Sequence, residues 1–207
     1  MRRLAVLLLL ASAPARITYD GFSMILPDGW RQMDNAEATQ KRTQLKPQTD
    51  AQKRFEDERK ANDAILIIKH DTKSSVMAAS VQVFYKPVAK LFEGSSAMDL
   101  TRMIARVSSN AFRGTLDAEP QEMKVSGLPG GTWSVHYDLV LSDGSKQPMF
   151  SRGVLVLIDK GESDLGAKVL GTPRQMMYMI GYSGPADDAA DAATFDDVVK
   201  SIAIEHK

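Results

Sequence analysis

The stretch Thr132–Ile158, TWSVHYDLVLSDGSKQPMFSRGVLVLI, decides the fold. Trp133, Val135, Tyr137, Leu139 and Leu141 alternate with polar residues, which is the period of a half-buried strand. Ser142-Asp143-Gly144-Ser145 then sets an Asp-Gly pair at the centre of a tight turn, and Phe150–Ile158 returns as the second strand. Strands joined by so short a loop pair antiparallel. Outward from this hairpin, Gln175–Ser183 reads as a following strand and Glu122–Ser126 as a short preceding one. Gly127-Leu128-Pro129-Gly130-Gly131 reads as a glycine-rich inter-strand turn. It leads into a strand and not a helix, so it does not match a phosphate-binding loop. In Val76–Tyr85, Met77, Ala79, Val81, Val83 and Tyr85 share one face, and Ser80, Gln82 and Phe84 the other. Ala64–His70 is a short β-branched run. Phe22–Leu26 is a strand closed by a Pro27-Asp28-Gly29 turn, after which Trp30 anchors an edge of the core.

Two segments carry helical periodicity. Ser96–Phe112 opens on a capping-box-like Ser96/Asp99 pair, runs an apolar stripe through Leu100, Met103, Ile104, Val107 and Ala111, and meets a stop at Gly114. A final helix carries Phe195, Val198, Val199 and Ile202 at i, i+3, i+4, i+7, with Asp187 and Asp188 at its start. The expected class is α+β: an antiparallel β-sheet covered by amphipathic helices, in one domain over 16–207.

The remaining segments bear on location and recognition. Residues 1–15 have secretory signal architecture: a basic Met1-Arg2-Arg3, an apolar Leu4–Leu10, and small residues ending in Ala13-Pro14-Ala15. A periplasmic or secreted chain starting at Arg16 is therefore expected, with no later run of transmembrane length. Residues 34–63 are polar and charged, with Leu45 and Phe55 as their only large apolar side chains. They read as a partly helical, loosely held insertion, either a partner-recognition arm or a plain surface loop. Losing Arg2 and Arg3 from 26 basic residues against 26 acidic ones leaves a charge near −2, which gives no reason to expect nucleic acid as a partner. The absence of cysteine removes disulfides, thiolate metal sites and cysteine nucleophiles together.

Chemical motifs are few. Ser134, His136 and Asp138 share one strand face, but residues two apart on a strand stand about 6–7 Å apart, too far for a hydrogen-bonded triad. No catalytic residue and no cofactor is assigned. Asp187, Asp188 and Asp191 read as helix-start acids before they read as a calcium site. Met176, Met177 and Met179 would be soft ligands for copper, but methionine serves more often as core filler, and no metal is assigned. Arg152 reads as a partner of Asp138 on the neighbouring strand or as a ligand-carboxylate site.

The opening Phe22-Ser23-Met24-Ile25-Leu26-Pro27-Asp28-Gly29-Trp30 resembles the strand-Pro-x-Gly-Trp start of the family of PsbP, Mog-type and DcrB-like exported proteins. The end, Phe195-x-x-Val198-x-x-Ser201-Ile202, resembles its closing helix, and the order of elements between agrees. The resemblance implies an α/β/α sandwich around an antiparallel sheet, in accessory, assembly or binding proteins with no shared catalytic set. Unlike lipoprotein members, this chain has no cysteine to tether it. The expectation is a non-catalytic binding or assembly factor of the bacterial envelope, with a protein or envelope component as partner. Trp30, Phe55 and Arg152 are its candidate binding residues. The alternatives are a small-ligand or copper carrier and, after that, an enzyme. A ligand-sized apolar cleft favours a small ligand, an acid–base pair inside such a cleft favours an enzyme, and a flat exposed apolar patch favours a protein partner.

Overall fold

A computed structural model describes residues 14–34, 36–37, 50, 53, 64–70, 78–141, 143–159 and 174–205. Most of the expected signal and insertion, Phe55, the loop 71–75 and His206 lie outside them. The described residues form eleven strands and two α-helices. In chain order these are β1 (Arg16–Tyr19), β2 (Phe22–Ile25), β3 (Trp30–Gln32), β4 (Leu66–His70), β5 (Ser80–Pro87), α1 (Ala97–Phe112), β6 (Thr115–Leu116), β7 (Gln121–Val125), β8 (Leu128–Val140), β9 (Lys146–Asp159), β10 (Gln175–Pro185), α2 (Ala189–Ser201) and β11 (Ala203–Ile204).

The hairpin that decides the fold forms as expected. β8 and β9 pair antiparallel from Gly130↔Val156 to Val140↔Lys146. Their turn closes with Gly144 at φ 86°, its N–H donating to the Leu141 carbonyl at 2.9 Å. β10 pairs β9 on one side and β5 on the other, so the large sheet runs β3-β4-β5-β10-β9-β8-β6, with β7 also on β8. A small sheet runs β1-β2-β11. Every described pairing is antiparallel.

Strand alternation sorts the large sheet into two buried faces. Val81, Val83, Val154, Val156, Ile180 and Tyr182 pack with Phe195 and Val198 of α2 and with Phe22 and Met24 of the small sheet. Leu155, Leu157 and Met177 face the other way and pack under Ala97 and Leu100 of α1. The molecule is thus the expected α+β sandwich, helix over sheet over helix, with the small sheet sharing the α2 layer. Among the described residues no helix is long and apolar enough to cross a membrane.

The structure corrects four readings. Strands β1, β3, β6 and β11 have only two to four residues, too few to show a period in sequence. The glycine-rich turn is only Ser126-Gly127, because Gly130 and Gly131 lie inside β8. The left-handed residue ending α1 is Arg113 at φ 50°, while Gly114 serves to make room: a Cβ there would sit 2.5 Å from Val135 Cγ1. The buried stripe of α1 is Ala97, Leu100, Thr101, Ala105 and Ala111, and Val107 is 51% exposed.

The placement of α1 matters for the site. A Cβ on Gly131 would sit 2.5 Å from Thr101 Oγ1, so the glycine lets α1 approach β8 closely. Thr101 is fully buried and satisfies its hydroxyl on the Ala97 carbonyl at 2.7 Å. Held there, α1 crosses chiefly β8 and β9 and is offset from β10 and β5.

Candidate functional site

The offset of α1 leaves a cleft of about 160 Å³ between the helix and the sheet. Its roof is Ile104, Ser108 and Phe112, spaced at i, i+4, i+8 and therefore on one line of α1. Its floor is read in rows across β8, β9, β10 and β5. The central row is Trp133–Gly153–Gly181–Gln82, each residue the direct cross-strand partner of the next. On one side lie Met179 and Phe84, which are paired partners. On the other lie Val135, Ser151 and Ser183. The walls are mostly apolar, with Lys86 at one end, and the hydroxyls of Tyr137, Ser151 and Ser183 gather at the other. There the Tyr137 and Ser183 hydroxyls hydrogen-bond at 3.1 Å, and Tyr137 stacks on Phe112 with ring centroids 4.6 Å apart. Ser151 donates its hydroxyl to the Tyr182 carbonyl at 2.8 Å. Lys86 lines the cleft from the end of β5.

A second cluster sits on the opposite face of the sheet. His70 Nδ1 lies 2.9 and 3.0 Å from the two carboxylate oxygens of Asp191. Trp30, directly opposite His70 in the β3–β4 ladder, stacks on the imidazole at 5.6 Å. Burial pushes the Asp191 carboxyl above its usual range, against the pull of the His70 hydrogen bond. Burial likewise raises the Tyr182 hydroxyl, with Asp191 and Asp188 adding to the effect. Asp188 caps α2 by accepting from the Asp191 N–H at 3.1 Å. The acid–base pair ties β4 to the first turn of α2, and it does not open into the cleft, whose floor is the other side of the sheet.

The sequence-picked residues scatter. Trp30 is 6% exposed and belongs to the core, where its role is to cover His70. Phe55 lies outside the described residues. Arg152 points away from the α1 face and pairs with Asp196 of α2, while Asp138 pairs with Lys146 instead. The expected Arg152–Asp138 pair is therefore corrected: Arg152 lies opposite Ser134 and Asp138 opposite Pro148, four residues along the ladder, and Asp196 of the α2 layer meets Arg152 instead. His136 pairs with Asp117 and tilts against Phe150, so its carboxylate partner is not Asp138. Met177 is buried under α1 and Met179 lines the cleft, but Met176 faces the opposite side of β10. The residues that shape the cleft, Gly153 and Gly181 above all, were not singled out. The signal for them was a glycine in the interior of each of two strands.

No family model matches the chain, and no curated protein matches it. Solved structures are similar. LpqN of Mycobacterium tuberculosis, described as involved in cell envelope biogenesis, aligns with a TM-score of 0.55 at 8% identity over 95% of this chain and 88% of that one. The cyanobacterial PsbP of Synechocystis sp. PCC 6803 aligns at 0.47 and 11% identity over 92% of each chain. At 8% identity LpqN shares the fold and conveys nothing about individual residues.

Proposed function

We propose that the protein is an exported, non-catalytic binding protein of the bacterial envelope, and that it holds a small, largely apolar envelope component between α1 and the sheet. The cleft is the observation that carries this. Its volume of about 160 Å³ is about ten times what one ordered water needs. Apolar and aromatic walls with a few polar groups are the usual make-up of a small-molecule site. That geometry favours the small-ligand reading over docking of a protein partner. The enzyme reading gains nothing, because the half-buried His70–Asp191 pair sits across the sheet from the cleft. Export is supported by the signal architecture of residues 1–15. The envelope assignment draws on that signal and on the involvement of LpqN, whose fold this chain shares, in cell envelope biogenesis.

The test is a titration of the purified protein with two probes, the neutral fluorophore 1-N-phenylnaphthylamine and the straight-chain acid decanoate. Saturable one-to-one binding of either is expected, together with its loss in Ser108→Trp, which fills the cleft from the roof. A melting curve shows that the variant is folded. Binding of neither probe, or binding that survives Ser108→Trp, overturns the proposal.

A further inference from the structure

Two glycines lie side by side on the cleft floor for different reasons. Gly153 and Gly181 are direct partners across the β9–β10 ladder. Over Gly153 the space is taken, because a Cβ there would collide with the benzo ring of Trp133. The indole covers the bare backbone, an arrangement in which an aromatic ring stands in for the missing side chain. Over Gly181 the space is empty: among the described residues, chain neighbours apart, no atom lies within 4 Å of the place a Cβ would take.

Among the described residues nothing calls for glycine at position 181. Its φ is not in the left-handed region. The pairing runs unbroken through it on both sides, to Gly153 and to Gln82, so it marks no bulge. Glycine also weakens a strand interior. What remains is room for something outside the chain to approach the backbone. That room is walled by Trp133 on one side and Gln82 on the other, with Met179 and Phe84 along one edge and Ser183 along the opposite edge.

We propose that the ligand of this cleft carries a planar ring, laid flat on Gly181 beside Trp133 and covering it as the indole covers Gly153, with its polar edge toward Ser183. The proposal rests on the cleft being a binding site and adds the class of molecule it takes. A ring matches a flat floor one strand spacing wide, about 4.8 Å from the next strand, better than a flexible chain does. Met179 and Phe84 suit the apolar edge of that ring, and the serine end suits a hydroxyl or carbonyl.

The experiment compares 2-naphthol with decanoate on the purified protein and on Gly181→Ala. The Ala side chain meets no neighbour, so the variant is expected to fold and to melt no lower than the parent. Its methyl group lifts the ring off the floor, and 2-naphthol affinity is expected to fall about tenfold or more. In the unaltered protein, nuclear Overhauser contacts are expected from 2-naphthol ring protons to the Gly181 α-protons, with the hydroxyl-bearing ring nearer Ser183 than Met179. Unchanged 2-naphthol affinity in Gly181→Ala, or contacts that miss Gly181, overturns the ring proposal. If decanoate binds and 2-naphthol does not, the ring proposal fails while the cleft remains a binding site. If neither binds, the ring proposal fails, and the cleft reading fails with it when 1-N-phenylnaphthylamine does not bind either.

Discussion

Glu37 sits between two cations of the large sheet. Arg31 grips it with both guanidinium ends, at 2.9 and 2.5 Å, and the ammonium of Lys69 lies 3.0 Å from Oε1. Lys69 is 5% exposed, so the carboxylate supplies countercharge to a buried ammonium on β4. Forked guanidinium–carboxylate bonds are stronger than neutral ones. The Arg31 bonds first, and then Lys69, hold the Glu37 carboxyl at about 2 instead of 4.5. A carboxyl depressed in the folded state stabilises above its unfolded value and loses that contribution as pH falls toward the folded one. The parent should therefore melt above Glu37→Gln at pH 6. The gap should shrink below 4.5 and be gone near 2. A gap that stays constant across that window would show that the pair contributes through packing and not through charge.

At the scale of the element, α1 shows how an apolar spacing can misassign a face. Leu100, Met103, Ile104, Val107 and Ala111 fit a helical stripe, yet docking at Gly131 and Gly114 turns the helix so that Thr101 and Ala105 face the sheet and Val107 faces solvent. Small residues win the buried face because the backbone approach is close. The polar Thr101 is tolerated there because it bonds within its own helix. Leu100→Ala should cost about 2–5 kcal/mol in chemical denaturation. Val107→Ser should cost no more than about 0.5 kcal/mol, as for exposed positions generally. Comparable losses at the two sites would refute the orientation. The start of α1 was readable beforehand, since Ser96 accepts from the Asp99 N–H at 3.1 Å and donates back to its carboxylate at 2.7 Å.

At the scale of the molecule, β1 begins at Arg16, the residue expected to follow signal cleavage, and it is already engaged there. Its guanidinium donates to Ser23 Oγ at 2.7 Å and to the Ser201 carbonyl at 3.1 Å, linking the start of the domain to the end of α2. Cleavage after Ala15 removes one described hydrogen bond, from the Leu26 N–H to the Ala15 carbonyl, at the edge of the small sheet. Mass spectrometry of envelope or secreted material from the producing cells should thus find a chain beginning at Arg16. Recovery of the chain only with Met1 in place would refute export. By itself the sequence determined the strands of the large hairpin, both helices, their N-terminal caps and the class of the fold, because each is written in local periodicity and turn chemistry. Only the tertiary structure decided the cleft. Trp133 and Gly153 meet within one hairpin, but Gly181 and Gln82 come from strands distant in the chain, and no local pattern relates all four. It also decided the partners of Arg152 and His136, since a side chain on a strand pairs with whatever charge the layer above it or the neighbouring strand brings within reach. The room over Gly181 has the same origin: it exists because α1 is held at β8 and stops short of β10.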